Sequence, residues 1–212
     1  MEFPAPTMAP TIAVGISAKD FERMQSRLTG EGRSPATPVV AGPCPGHDVV
    51  LGIDPSLRGT GYGIIRRTRP APVVLAQGTI KVPVRWERTR CLLQICQTLR
   101  DVLREHAPTV CVVEGLFYAQ NFQTALIMGE ARGASLVTAA EAGLEIYEIA
   151  PRKVKQAIVG YGAAQKLAVG RMVQRMLNLA EPPAPDAADA LALALTYVQE
   201  TNRHSLTTPK RI

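Results

Sequence analysis

Cysteine, aromatic residues and long apolar runs are all scarce in this sequence. Only four of its 212 residues are Cys, and 5% are Phe, Trp or Tyr. Because no C-x-x-C pair or Cys/His cluster occurs, the pattern argues against a zinc site and against a disulfide framework. No apolar run approaches the roughly 20 residues that cross a bilayer, and the N-terminus lacks the pattern of a secretory signal. We therefore expect a cytoplasmic protein without membrane contact.

The composition is typical of one globular domain with tails. Apolar residues make up 46% of the chain, and 24 Lys and Arg against 18 Asp and Glu give a net charge of +6. This basic balance is compatible with a polyanionic partner but does not require one. Residues 1–46 are rich in Pro, Ala, Gly, Ser and Thr, so we expect a disordered or weakly structured extension. The globular domain is predicted at 47–200, followed by a flexible C-terminal tail at 201–212.

Apolar strands alternate with amphipathic helices from residue 48 onward. The pattern predicts strands at 48–54, 60–67, 73–82, 109–113 and 144–149. Helices are predicted at 86–106, at 121–142, from Pro151 to a break at Gly160, at 164–179, and after the prolines at 182, 183 and 185. The first three strands follow one another through short turns, as in an antiparallel meander. This order of strands and helices along the chain is typical of an α/β protein.

Acidic residues end two of the predicted buried strands. Asp54 ends the run VVLGID, and Glu114 ends the run TVCVVE. A charge at the end of a core strand is unfavourable unless it is paired, and no Lys or Arg adjoins Asp54 in the sequence. We expect the missing partner to be a cation from outside the chain.

Two further acids, Asp186 and Asp189, lie three residues apart on one face of the last predicted helix. Asp186 alone could simply bind the free backbone N–H groups of a helix N-terminus. That explanation is weaker for Asp189, which lies one turn inside a helix made mostly of Ala and Leu.

A cluster of these four carboxylates would repel itself unless a divalent cation kept it ionised. Oxygen ligands favour Mg²⁺ or Mn²⁺. Two such ions about 3.5 to 4 Å apart are one solution for phosphodiester hydrolysis. Periodicity does not show that the acids meet, so metal-dependent phosphoryl transfer is one hypothesis among others at this point.

Basic residues precede the acidic helix. Residues 151–180 contain no Asp or Glu, and their basic residues are Arg152, Lys153, Lys155, Lys166, Arg171 and Arg175. A segment of one sign suits contact with phosphates, although a solvated helix face is the alternative. Phe117 and Tyr118 follow Glu114 on a predicted loop, where they could stack on unpaired bases or be buried against the next helix.

Small residues lie on the helix predicted at 121–142. Gly129 and Gly133 are four residues apart, so another helix could approach its backbone closely. That helix could belong to the same subunit or to a second copy of the chain.

Four motifs carry a resemblance to a known family. They are Gly52-Ile53-Asp54-Pro55 with Thr60-Gly61-Tyr62-Gly63, Val113-Glu114-Gly115-Leu116-Phe117 with Asn121, Val154-Lys155-Gln156 with Lys166, and Asp186-Ala187-Ala188-Asp189-Ala190-Leu191-Ala192. In this order and spacing, the chain resembles the RuvC family of bacterial Holliday-junction resolvases over about residues 48–200. It departs from the family at Ser56, where many members have Gly, and in its N-terminal extension.

The resemblance implies an RNase H-like α/β fold with a five-stranded mixed sheet, its first three strands antiparallel, flanked by helices. It implies a homodimer that nicks two like strands of a four-way DNA junction and leaves 5′-phosphate and 3′-hydroxyl ends. By the same resemblance, a branch-migration motor would be a further partner.

The resemblance also assigns roles to residues. The catalytic acids, which would hold two Mg²⁺ or Mn²⁺ ions, would be Asp54, Glu114, Asp186 and Asp189, with Lys166 as a catalytic cation. The DNA-contacting residues would be Phe117, Tyr118, Asn121, Arg152, Lys153, Lys155 and Lys166.

Two alternatives belong to other classes. A nucleotide-binding phosphotransferase of the actin and sugar-kinase type also begins with a strand, an Asp and a Gly-rich hairpin, which here would be residues 54–63. Such a protein would need a second phosphate loop and a second domain. A non-catalytic junction-binding protein would keep the basic residues, but the retention of all four acids argues against it.

Overall fold

A mixed sheet lies at the centre of the structure. The computed structural model describes residues 46–115, 122–202 and 209–212. Its strands are β1 (Val49–Asp54), β2 (Gly59–Arg66), β3 (Val73–Lys81), β4 (Val110–Glu114), β5 (Glu145–Ile149) and β6 (Lys210–Arg211). Their order in the sheet is β3–β2–β1–β4–β5–β6. The first three strands are antiparallel neighbours, β1, β4 and β5 are parallel, and β6 is antiparallel to β5.

Helices cover both faces of the sheet. They are α1 (Arg88–His106), α2 (Phe122–Glu141), α3 (Pro151–Val159), α4 (Lys166–Met176) and α5 (Pro185–Asn202). One apolar cluster joins the sheet to α1 and α2, and a second joins its other face to α3, α4 and α5. Strand β1 is apolar throughout because it is buried on both sides: Val50 faces the second cluster, whereas Leu51 and Ile53 face the first.

Glycines let α5 lie directly on the sheet. A Cβ atom built on Gly52 would lie 2.0 Å from the carbonyl oxygen of Ala190, and one built on Gly61 would lie 2.0 Å from that of Asp186. Any side chain at these two positions would therefore displace the helix. The Gly-rich hairpin of β1 and β2 is a packing platform for the helix that carries Asp186 and Asp189.

The structure confirms the predicted α/β class and the antiparallel arrangement of the first three strands. The expected count of five strands was wrong, because Lys210 and Arg211 form a sixth strand, pairing with Glu148 and Tyr147 of β5. Two exposed basic residues have no periodicity that a sequence pattern could reveal. No helix in the described ranges is long and apolar enough to cross a membrane.

Several predictions concern segments outside the described residues. They are the N-terminal extension up to residue 45, the DNA-contacting residues Phe117, Tyr118 and Asn121, and positions 203–208 of the predicted tail.

Candidate active site

Two parallel strands bring Asp54 and Glu114 together. Strands β1 and β4 are neighbours, and Ile53 pairs with Val113. The next residue of each strand is its acid, so both carboxyl groups emerge at the same edge of the sheet. The Asp54 carboxyl also shares a hydrogen bond with that of Glu114. The sequence left open whether the acids meet, and in the structure these two do.

Helix α5 brings the other two acids to the same edge. Its first turn lies over the start of β2, where Asp186 Oδ2 would lie 3.1 Å from a Cβ atom built on Gly59. Asp189, one turn further on, is close enough to Asp54 and Glu114 to raise the pKa of both. All four acids line one cavity of about 380 Å³.

Lys166 is the first residue of α4 and reaches across to α5. Its Nζ donates a hydrogen bond of 2.9 Å to Oδ2 of Asp189. This bond raises the pKa of Lys166 above its usual value, and the negative charges of Asp189, Asp54 and Glu114 raise it further. The ammonium group is therefore charged at neutral pH. Lys166, which was predicted to contact a phosphate, is thus hydrogen-bonded to Asp189 in this structure.

Burial and neighbouring charges raise the pKa of Asp54 and of Glu114. Burial, followed by the charges of Glu114 and Asp189, raises the pKa of Asp54 to about 8. Burial and the charge of Asp189 also raise the pKa of Glu114. An approaching divalent cation would oppose both effects and favour the ionised carboxylates.

The donor set of the cavity suits a hard cation. Its four acids offer only carboxylate oxygens, which favour Mg²⁺ and Mn²⁺ over softer metals. Within the described ranges, no three acidic, His or Cys side chains already have the spacing of a formed metal site. In the structure, Lys166 donates a hydrogen bond to Asp189, and the carboxyl groups of Asp54 and Glu114 are hydrogen-bonded to each other. Carboxylates placed in this way fit a divalent cation, which would compete with the Lys166 ammonium group for Asp189.

The predicted basic residues are divided between the cavity and its surroundings. Lys155 and Lys166 line the cavity. Lys153 donates instead to Oε2 of Glu200 at 2.8 Å. Arg152 is exposed and lies over Gly162, where its Cγ would be 2.5 Å from an added Cβ atom.

Some residues at the site were not predicted as site residues from the sequence. Ser56 and Met128 line the cavity with the acids, and Thr60 holds the turn after β1 because its Oγ1 donates to the carbonyl of Ser56 at 2.6 Å. Arg132 of α2 donates to the carbonyl of Glu114 at 2.5 Å. A mid-helix arginine among small residues is usually exposed, and only its contact with β4 distinguishes it.

Comparison with known proteins gives the family. A family profile described as "Crossover junction endodeoxyribonuclease RuvC" matches residues 50–197. Crossover junction endodeoxyribonuclease RuvC of Protochlamydia amoebophila is 43% identical over 152 residues, which are 71% of this chain and 90% of that protein. The protein of the same name from Syntrophomonas wolfei is 45% identical over 150 residues, 70% of this chain and 87% of the relative.

This chain belongs to the RuvC family. The solved structure of T. thermophilus RuvC in complex with Holliday junction substrate matches it with a TM-score of 0.72 at 34% identity, covering 78% of this chain and all of that one. The resemblance read from the four motifs is confirmed, as is the RNase H-like fold. The range matched by the family profile, residues 50–197, spans the positions of the four acids, Lys155 and Lys166. The yeast mitochondrial Holliday junction resolvase Ydc2, at 11% identity and a TM-score of 0.51, shares the fold alone.

Proposed function

We propose that this chain is an endodeoxyribonuclease that resolves four-way DNA junctions by paired symmetric nicks, in DNA recombination and repair. The observation that carries the proposal is the convergence of Asp54, Glu114, Asp186 and Asp189 on one cavity in a chain of the RuvC family. A cytoplasmic site of action is proposed from the resemblance to a bacterial family.

The four acids are proposed to hold two Mg²⁺ ions, for which Mn²⁺ can substitute. When bound, the metals supply an activated water and stabilise the leaving oxygen. The acids themselves must be ionised to act, although burial raises the pKa of Asp54 to about 8. Their own repulsion therefore favours metal binding, because each cation removes part of the electrostatic penalty. The products would carry 5′-phosphate and 3′-hydroxyl ends.

Lys155 and Lys166 are the cations proposed to act on the scissile phosphate. Both line the cavity of the acids, and the Lys166 side chain is 75% exposed. An exposed lysine can exchange Asp189 for a phosphate oxygen at small cost. Lys166 would then stabilise the negative charge that develops on the phosphate during hydrolysis.

The remaining DNA contacts are proposed from the sequence. Arg152 is exposed beside the cavity end of α3 and is available to a phosphate. Lys153 would have to share its Nζ with Glu200, from which it lies 2.8 Å. Phe117, Tyr118 and Asn121, outside the described residues, would contact the bases near the junction centre.

The homodimer is proposed to form through one face of α2. Phe122, Leu126, Gly129, Gly133 and Val137 lie along a single stripe of the helix. The three large side chains are 79%, 52% and 57% exposed, and outside the helix itself no atom of the described residues lies within 4 Å of a Cβ position on either glycine. An exposed apolar stripe with two gaps suits a second helix. A twofold dimer would direct two active sites at like strands of one junction. Docking of a branch-migration motor remains a proposal from resemblance alone.

The phosphotransferase alternative has little structural support. A phosphate loop needs a glycine-rich backbone that a nucleotide can approach, but α5 covers Gly52 and Gly61. A non-catalytic binding protein would have no need of four acids in one cavity.

Cleavage of a synthetic four-way junction tests the proposal. We expect nicks at symmetric positions on two like strands in Mg²⁺, sealable by DNA ligase because the ends are 5′-phosphate and 3′-hydroxyl. A linear duplex of the same sequence should stay intact. Equal cleavage of both DNAs, or unligatable ends, would contradict the proposal. Binding of ATP without nicking would favour the phosphotransferase.

A further inference from the structure

Arg132 is a buried cation beside the end of strand β4. Arg132 is 7% exposed and lies in the middle of α2. Its Nη1 donates to the carbonyl oxygen of Glu114 at 2.5 Å, and its Nη2 donates to Oε2 of Glu148. Burial of an ion pair contributes little net stability compared with apolar residues of similar size. Stability alone therefore does not explain why an arginine is buried at this position.

Strand β4 loses one of its neighbours just before Glu114. Its pairing with β1 ends at Val113, whereas its pairing with β5 continues to Glu114 and Ile149. Glu114 thus ends the strand with support from β5 alone. The guanidinium of Arg132 binds the carbonyl of this residue and fixes the peptide plane that follows it. The orientation of the Glu114 side chain depends on that backbone.

Glu148 fixes the arginine in turn. Its side chain, on β5, is 28% exposed and pairs with the same guanidinium. Its Cγ would lie 3.3 Å from a Cβ atom on Gly115, so the pair closes around the residue after the acid. The planar guanidinium has fixed donor directions, and two acceptors at different angles define its position.

We propose that Arg132 is a positioning residue that holds Glu114 in the geometry for metal binding, with Glu148 orienting the arginine. The inference rests on the proposed function, since it gives Glu114 the role of a metal ligand. Because Arg132 lies on α2, one residue from Gly133, the same contact joins the acid to the helix proposed as the dimer face. Partners of this kind, which orient a ligand without touching the metal, typically contribute about 10- to 100-fold to metal affinity.

Three variants separate positioning from simple stability. Arg132→Met removes both hydrogen bonds and keeps an apolar stem, Arg132→Lys keeps the charge, and Arg132→Met with Glu148→Gln also removes the charge left unpaired. The matched control is Arg88→Met, which breaks a different Arg–Glu pair, formed by Arg88 on α1 and Glu130 on α2 at 3.0 Å. For each full-length protein, we would measure Tm, calorimetric affinity for Mn²⁺ without DNA, and the Mg²⁺ concentration for half-maximal junction nicking.

We expect Arg132→Met to bind Mn²⁺ roughly tenfold or more weakly and to need correspondingly more Mg²⁺ for nicking. Arg132→Lys should recover part of the affinity. The double variant should regain Tm relative to Arg132→Met without regaining metal affinity, and the control should match the wild type in affinity.

Recovery of both Tm and metal affinity in the double variant would overturn the proposal, because it would reduce Arg132 to an ion-pair partner. Wild-type affinity in a folded Arg132→Met would overturn it as well. If the wild type nicks junctions and the Arg132 variants match it in metal affinity and nicking, the proposed function stands and this inference alone falls. If the wild type itself neither nicks junctions nor binds metal, both fall.

Discussion

The Nζ atom of Lys166 lies 2.9 Å from Oδ2 of Asp189, so one cation of the chain already meets the acid cluster. We expect Lys166→Met to slow junction nicking by about 10²-fold or more, because it removes a charge that stabilises the scissile phosphate. Tm should change little, since an exposed pair of this kind contributes roughly 0 to 1 kcal/mol. Single-turnover nicking at saturating protein measures the effect. Arg104→Met, which breaks an exposed pair with Asp101 on α1, is the control, and equal rates for the two variants would contradict the role.

The raised pKa of Asp54 makes stability depend on pH. Its folded-state pKa of about 8 exceeds the ordinary 3.8, so between these values the folded protein keeps a proton that the unfolded chain releases. The metal-free protein should therefore lose stability as pH rises from about 4 to about 8. Asp54→Asn has no proton to keep and should lose less over this window. Thermal unfolding of both proteins in EDTA measures the difference, and parallel profiles would contradict the assignment.

The contact between α5 and the hairpin predicts a strong effect at Gly52. A methyl group there would meet the Ala190 carbonyl at 2.0 Å, so Gly52→Ala should destabilise the protein by about 1 to 3 kcal/mol or more. It should also weaken metal binding, because the shifted helix carries Asp186 and Asp189. Gly170→Ala is the matched control, since among the described residues its methyl group would have the Cβ of Ala188, at 3.8 Å, as its nearest contact. Urea unfolding that ranks the two variants equally would contradict the packing role.

The open glycines of α2 test the proposed dimer. A Cβ atom on Gly133 would meet no atom of another described element within 4 Å, so Gly133→Leu should preserve the fold and even favour the helix by up to about 1 kcal/mol. It should nevertheless weaken self-association, because it fills the gap left for a second helix. Gly133→Ala should have a smaller effect. Sedimentation equilibrium measures the association, and an unchanged dimer in Gly133→Leu would place the interface elsewhere.

Much of the site could be predicted because its acids stand where strands end. The run of buried residues before Asp54 and Glu114 fixed the ends of β1 and β4, and parallel pairing of those strands brings the two acids together. The three-residue spacing of Asp186 and Asp189 likewise fixed their common helix face. The confirmed family resemblance follows from the same motifs.

Contacts between distant elements could not be predicted. Nothing in the sequence pairs Arg132 with Glu148, because one lies in a helix and the other in a strand whose relative position only the fold defines. The bond from Lys153 to Glu200 is of the same kind. The sequence allowed two interpretations of Gly52 and Gly61, as part of a phosphate loop or as a scaffold. The position of α5 over them in the structure favours the scaffold.

The most direct test of the account compares the wild type with Glu114→Gln on one synthetic four-way junction. Glutamine keeps the shape of the side chain but removes the charge proposed to hold the metal. The wild type should nick only when Mg²⁺ is added. Glu114→Gln should bind the junction with nearly unchanged Kd in EDTA and should not nick it, while Glu105→Gln, at an exposed position on α1, should behave as the wild type. Nicking by Glu114→Gln at the wild-type rate, or loss of binding together with nicking, would contradict the account.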